Sequence, residues 1–256
     1  MELNMIGKTV VVTGGSTGIG FEAAKEFARE GANVVICGRS GQKLASAAAE
    51  FAAEGMEAAT FAGDMSRIDE IYALADYAAG RFGGIDVWLN NAGTGISKKM
   101  MEFTVDDIDT LIDINFKSVY WGCRAAAERM MGRGGVILNT TSFAVKMPLL
   151  NGGIYAACKC AAQSLTKSFA AELAPHNIRV VSIIPGFIET PLTAKTVEQR
   201  RGELTRSIPA GRLGRPEDLA KTIVFLASEA AGYITGVPVE ISGGKYAVQD
   251  PWNAWI

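Results

Sequence analysis

The chain has 256 residues, 48% of them hydrophobic, which suits one large packed domain and excludes a disordered chain. A formal net charge of -2, with no long run of like charge, excludes a nucleic-acid footprint or an anionic-lipid site and leaves small, weakly charged partners. The opening MELNMIGK has no apolar signal core and no apolar run reaches about 18 residues, so a cytoplasmic protein is expected.

Residues 8–13, KTVVVT, are a β-branched run ending at Gly14 and Gly15, as in a strand buried on both faces of a parallel sheet. TGGSTGIG, residues 13–20, then places Gly14, Gly18 and Gly20 in a turn before the helical pattern FEAAKEFAREG, where backbone can approach a pyrophosphate at a helix N-terminus. A second strand, NVVICG at 33–38, completes a βαβ unit. An acidic residue at its end would bind a ribose 2′-hydroxyl and repel a 2′-phosphate; this chain has Arg39 and Ser40 instead. A guanidinium pairs with phosphate, so NADP is favoured over NAD, the alternative being that Arg39 merely caps the surface near the next helix.

Helices near 42–54 and 68–82 flank a strand at 57–63, and this alternation means a parallel sheet. Asp64, directly after that strand, can accept from an adenine amine or cap a helix. In DVWLNNAG, 86–93, Asn90 and Asn91 need partners and are expected to tie neighbouring strands beside the cofactor. A long helical region over 104–131 carries Asn115 among Ile112, Ile114, Phe116 and Val119; such an amide is either a satisfied core asparagine or an interruption that binds water.

The strand GVILNTTS, 135–142, delivers Ser142 to the sheet's carboxyl edge. Tyr155 and Lys159 open a helix running to about Ala174, and their spacing puts phenol and amine one turn apart on one face. A cation at about 4 Å contributes roughly 4 kcal/mol at an effective dielectric of 20, about three pKa units, so Lys159 is expected to bring Tyr155 near 7. The alternative is a core tyrosine with a solvated lysine. The strand 177–186 ends in Pro185 and Gly186, and Thr190 in the following loop could contact a carboxamide. Residues 192–215, with Lys195, Arg200, Arg201, Arg206 and Arg212, read as a mobile helical lid over the crevice. A helix from Pro216 to about Ser228 and a strand at VPVEIS finish the sheet. Cys37, Cys123, Cys158 and Cys160 lack disulfide or zinc spacing and read as reduced core residues, with no metal expected.

With these segments in order, the chain resembles the short-chain dehydrogenase/reductase family, in its branch of about 250 residues, over nearly its whole length. TGGSTGIG resembles that family's cofactor loop, NNAG at 90–93 its sheet motif, PGFIET at 185–190 its nicotinamide loop, and GRPEDLAKTIVFLAS with ITG its C-terminal signature. SGG at 242–244 departs from it, since an aspartate often precedes the paired glycines; only an end turn should feel this. The resemblance implies a single Rossmann-type domain, 1–256, with a doubly wound parallel sheet of about seven strands in the order 3-2-1-4-5-6-7 and helices on both faces.

It further implies a catalytic set. Ser142 would hold the substrate oxygen, Tyr155 would donate the proton in reduction, Lys159 would lower the phenol pKa and bind ribose hydroxyls, and Asn115 would hold a proton-passing water. Expected cofactor contacts are Gly14, Ser16, Thr17, Gly18, Ile19, Gly20, Arg39, Ser40, Asp64, Met65, Asn91, Ala92, Gly93, Tyr155, Lys159, Pro185, Gly186, Ile188 and Thr190. Phe143, Val145, Met147, Leu149, Leu150, Phe187 and Leu192 form the expected substrate wall, favouring hydroxysteroid-like or aliphatic secondary alcohols. Lys98 and Lys99 could meet an anionic end, which leaves a 3-oxoacyl-thioester (acyl carrier protein) reductase as runner-up, with a non-catalytic cofactor sensor as a second class. Trp252 and Trp255, in the tail 245–256, should be buried at a subunit interface of a homotetramer or homodimer, or else on their own subunit.

Overall fold

In a computed structural model, which describes residues 3–148 and 150–255, seven strands form one parallel sheet in the order β3-β2-β1-β4-β5-β6-β7. The strands are β1 (Thr9–Thr13), β2 (Asn33–Gly38), β3 (Ala58–Ala62), β4 (Val87–Asn90), β5 (Gly135–Thr140), β6 (Ile178–Pro185) and β7 (Pro238–Ile241). The order expected from the sequence is borne out. Each apolar run is covered on both faces: Val10 and Val12 of β1 point into one core, and Val11 points into the other.

Helices α1 (Gly18–Arg29), α2 (Gly41–Ala53) and α8 (Pro216–Ala227) cover the first face, where Phe27, Ile36, Phe51, Leu89 and Ile223 are fully buried. Helices α3 (Ile68–Phe82), α5 (Ser118–Met130) and α6 (Gly153–Leu173) cover the second, around Leu74, Trp88, Met130 and Ile137. The chain order reverses between β1 and β4, so their carboxyl ends diverge and open a crevice there.

The helical region over 104–131 is not one helix. A π-turn at Asp113–Lys117 separates α4 (Val105–Ile112) from α5, and Asn115 lies in it, fully buried. One inserted residue re-aims a side chain without ending the helix, which explains why apolar spacing alone showed no break.

The segment after β6 forms a small third core. α7 (Ala194–Arg206) buries Val197 and Leu204 with Phe187, Ile208 and Leu213. Its base is closed by Gly214 N donating to Phe187 O at 2.9 Å and Glu189 N donating to Gly214 O at 2.9 Å. Three cysteines are buried as expected, but Cys160 is exposed on α6. Trp252 is 40% exposed, its ring lying 5.5 Å from the Arg206 guanidinium of its own chain, so it is neither deeply buried nor without a local partner. The Trp255 side chain lies outside the described residues.

Candidate active site

The crevice above β1 and β4 has a volume of about 760 Å³. Its floor begins at the glycine loop. Gly14 and Gly18 have φ of +66° and +60°, which L side chains rarely adopt, and the loop runs directly into the N-terminus of α1. Gly20 does not face the crevice. A Cβ there would stand 2.5 Å from Gly14 O and against the Asn91 amide, so its role is close packing behind the loop.

The Asn90–Asn91 pair ties the strands together as expected. Asn91 Nδ2 donates to Thr13 O and Gly14 O, each at 3.2 Å, while Thr13 Oγ1 accepts from Asn91 N at 3.0 Å and Ala92 N at 3.1 Å. Thr13 therefore clamps β1 to the β4 loop. Asn90 Oδ1 accepts from Trp88 Nε1 at 2.7 Å, its Nδ2 donates to Asn139 Oδ1 at 2.9 Å, and Asn139 Nδ2 donates to Thr166 Oγ1 at 3.0 Å. This buried chain links β4, β5 and α6.

At the other end of β2, Ser40 Oγ caps α2 by accepting from Lys43 N at 3.3 Å. Arg39 and Lys43 both line the crevice, and neither has an acidic partner among the described residues. Lys43 escaped the sequence reading, although its spacing from Arg39 is one helical turn. Asp64 Oδ1 accepts from Ser66 N and Ser66 Oγ, both at 2.9 Å, so the carboxylate shapes its own turn while the residue lines the crevice. Ser16, Thr17, Ile19, Met65, Ala92, Pro185, Gly186, Ile188 and Thr190 line the crevice as well.

Ser142, Tyr155, Lys159 and Asn115 share one wall. Asn115 Nδ2 donates to Thr94 O at 3.0 Å and Leu111 O at 3.1 Å, and its Oδ1 accepts from Thr94 N at 3.3 Å. Gly93 separates it from the amine: a Cβ there would lie 3.0 Å from Asn115 Oδ1 and 3.5 Å from Lys159 Nζ. Lys159 Nζ donates to Thr140 O at 2.9 Å and sits 5.7 Å from the Tyr155 ring centroid.

The expectation that Lys159 holds Tyr155 near 7 fails in this arrangement. Burial pushes the phenol upward, with the Ser142 hydroxyl as the main opposing influence. Burial also pulls Lys159 down to about 8. The expectation counted the attraction across one helical turn and left out desolvation, which here acts on both groups and favours their neutral forms.

The expected substrate wall is only partly present. Phe143 and Leu192 line the crevice. Phe187 is buried against Phe143 in the α7 core, Met147 is 55% and Leu150 93% exposed, and Val145 does not line the crevice, its carbonyl accepting from the Cys160 thiol. Leu149 lies outside the described residues. The chain forms a 3₁₀ turn at Phe143–Val145 instead of continuing as a strand, so alternating apolar positions do not share a face. Lys98 pairs with Asp107 at 2.5 Å and Lys99 with Glu102 at 3.8 Å, so neither is a free cation. Gly186 has no room for a Cβ because Ser242 Cα would lie 2.6 Å away; the SGG turn therefore abuts this loop rather than lying remote from it.

A family model described as enoyl-(acyl carrier protein) reductase matches residues 14–245. The 3beta-hydroxysteroid dehydrogenase 1 of Eggerthella lenta is 38% identical over 243 residues, 93% of either chain. The 3-oxoacyl-(acyl-carrier-protein) reductase of Chlamydia pneumoniae is 34% identical over 245 residues, covering 95% of this chain and 99% of its own. The crystal structure of a short-chain type dehydrogenase/reductase from Mycobacterium marinum matches with a TM-score of 0.92 at 34% identity, over 96% of this chain and 98% of that one. The chain belongs to the short-chain dehydrogenase/reductase family, and is an NAD(P)-dependent oxidoreductase acting on alcohol and carbonyl groups.

Proposed function

We propose that the protein interconverts a secondary alcohol and its ketone on an apolar, hydroxysteroid-like or aliphatic substrate, with NADP(H) as the preferred cofactor. The observation that carries the substrate class is the meeting of Ser142, Tyr155 and Lys159 with the apolar side chains of Phe143, Ile188 and Leu192 in one crevice. The 38% identity to a hydroxysteroid dehydrogenase supports the same class. For the cofactor, the positive-φ glycines and the N-terminus of α1 suit a pyrophosphate, and Arg39 and Lys43, without an acidic partner among the described residues, suit a 2′-phosphate.

The nicotinamide, when bound, supplies or accepts the hydride. The chain's own residues handle the oxygen and the proton. Ser142 Oγ accepts from Ala144 N at 3.2 Å, which leaves its own hydrogen for the substrate oxygen. Tyr155, held neutral at pH 7 by burial, is the proton donor in reduction. Oxidation needs its ionised form, so that direction gains with rising pH. Lys159 is mostly charged below about 8 and favours that ionisation. Asn115 Oδ1, with one bond from Thr94 N, keeps a lone pair for a water leading towards Lys159. The excursion over 192–215 acts as the lid, and the protein works as a homo-oligomer in the cytoplasm.

The second reading is 3-oxoacyl-thioester reduction, favoured by the 34% relative and opposed by the pairing of Lys98 and Lys99. Oxidation of NADPH should be followed with a 3-oxosteroid, a cyclic ketone and an acetoacetyl thioester, alongside fluorescence titration with NADPH and NADH. The account predicts turnover of the alicyclic ketones and tighter NADPH, with Arg39→Asp weakening NADPH about tenfold through loss of one charge-assisted contact. Turnover of the thioester alone would establish the second reading, and equal cofactor affinities would overturn the NADP assignment.

A further inference from the structure

The segment after β7 reaches back to the reactive wall. The Tyr246 ring stacks on Phe143, with centroids 5.6 Å apart and an interplanar angle of 25°, and Phe143 in turn lies 5.7 Å from Phe187 at 31°. Phe143 lines the crevice directly after Ser142, and Phe187 belongs to the core beneath α7. The segment leading to Tyr246 is fastened at several points. Ala210 N donates to Gly243 O at 3.0 Å, Lys245 Nζ donates to Ser207 Oγ, and Glu240 accepts from both Lys146 and Ser242. Lys146 lies at the end of the turn that begins with Ser142.

We propose that Tyr246 is a positioning residue for the substrate, its ring fixing Phe143, and through it the Ser142 turn, between the C-terminal segment and the lid core. This rests on the reading of the crevice as the site of alcohol–ketone interconversion. The hydroxyl of Tyr246 is buried and has no hydrogen-bond partner among the described residues. A buried donor without a partner is a cost, so the position is used for its ring and not for its hydroxyl. The ring acts on a short stretch of backbone. Val145 N donates to Ser142 O at 3.1 Å, and Lys146 N and Met147 N donate to Phe143 O at 2.9 and 3.1 Å. With the ring removed, Phe143 loses one of its two aromatic neighbours and this turn loosens, which moves the wall that a bulky substrate meets before it moves the proton donor on α6.

The test compares Tyr246→Ala with Tyr246→Phe in the full chain. Amide hydrogen exchange at Ala144, Val145, Lys146 and Met147, without substrate, should speed up about tenfold in Tyr246→Ala and stay unchanged in Tyr246→Phe. KM for a 3-oxosteroid should rise about tenfold in Tyr246→Ala, a larger loss than for a small cyclic ketone, with the NADPH affinity unchanged, and Tyr246→Phe should restore the wild-type KM. The phenylalanine variant should also unfold at an equal or higher urea concentration. Unchanged exchange at these amides, or equal losses on large and small ketones, would overturn the proposal. Wild-type protein that turns over none of the ketones would refute the substrate reading instead, and the exchange comparison would still decide the role of Tyr246.

Discussion

Replacing Lys159 by methionine removes a charge that burial already disfavours, and the effect must depend on pH. Lys159 is 4% exposed, bonded to Thr140 O, and burial lowers its pKa from 10.5 to about 8. Between about pH 8 and 10.5 the unfolded chain holds a proton that the folded chain has released, so stability rises with pH across that window. Below about 8 both states are charged and the folded state carries the whole penalty. At 1.36 kcal/mol per pH unit, the penalty amounts to about 3 kcal/mol. Urea unfolding of both proteins without cofactor, at pH 7 to 10 and both carrying Cys158→Ser, isolates it, because Cys158 is the titrating neighbour that Lys159 perturbs and the other groups cancel in the comparison. Loss of the Nζ bond adds only a constant offset. The wild type should gain about 2 to 3 kcal/mol on Lys159→Met between pH 7 and 10. Parallel stability curves would refute the desolvation argument and restore a fully charged amine.

Gly20→Ala forces a Cβ against Gly14 O and the Asn91 amide, neither of which can retreat without opening the glycine loop. It should cost about 2 kcal/mol in urea unfolding and weaken NADPH binding in fluorescence titration. Asn139→Ala deprives Asn90 and Thr166 of their buried partner and should destabilise by about 2 kcal/mol or more, and a double variant that also carries Asn90→Ala should lose less than the sum of the two single losses. Ketone reduction should fall, and alcohol oxidation rise, as pH increases, since Tyr155 must be protonated for the first and ionised for the second.

The sheet and most helices were legible because each apolar run ends at a residue with a distinct backbone role. Gly14 and Gly83 adopt the positive φ that closes a strand or a helix, and α3 ends at Phe82 as its spacing indicates. The crevice floor was legible for the same reason, as its glycines and asparagines answer to backbone geometry. Side-chain direction after Ser142 was not. Phe143, in the turn at Phe143–Val145, packs against Phe187 and Tyr246, which lie more than forty and a hundred residues away in the sequence. The π-turn around Asn115 left only one sign, an amide among apolar neighbours, because its inserted residue does not disturb the hydrophobic spacing enough to show. The protonation states of Tyr155 and Lys159 depend on burial, which spacing along one helix cannot measure.

The central claim is that the Tyr155 phenol carries the proton while the rest of the crevice holds the cofactor. Tyr155→Phe keeps the ring beside Lys159 and removes only the hydroxyl, so it separates these roles. NADPH should bind it within about twofold of wild type in fluorescence titration, while reduction of an alicyclic ketone should fall at least about a hundredfold, the lower end of what a positioned general acid contributes. A variant that reduces the ketone at near wild-type rate would contradict the account.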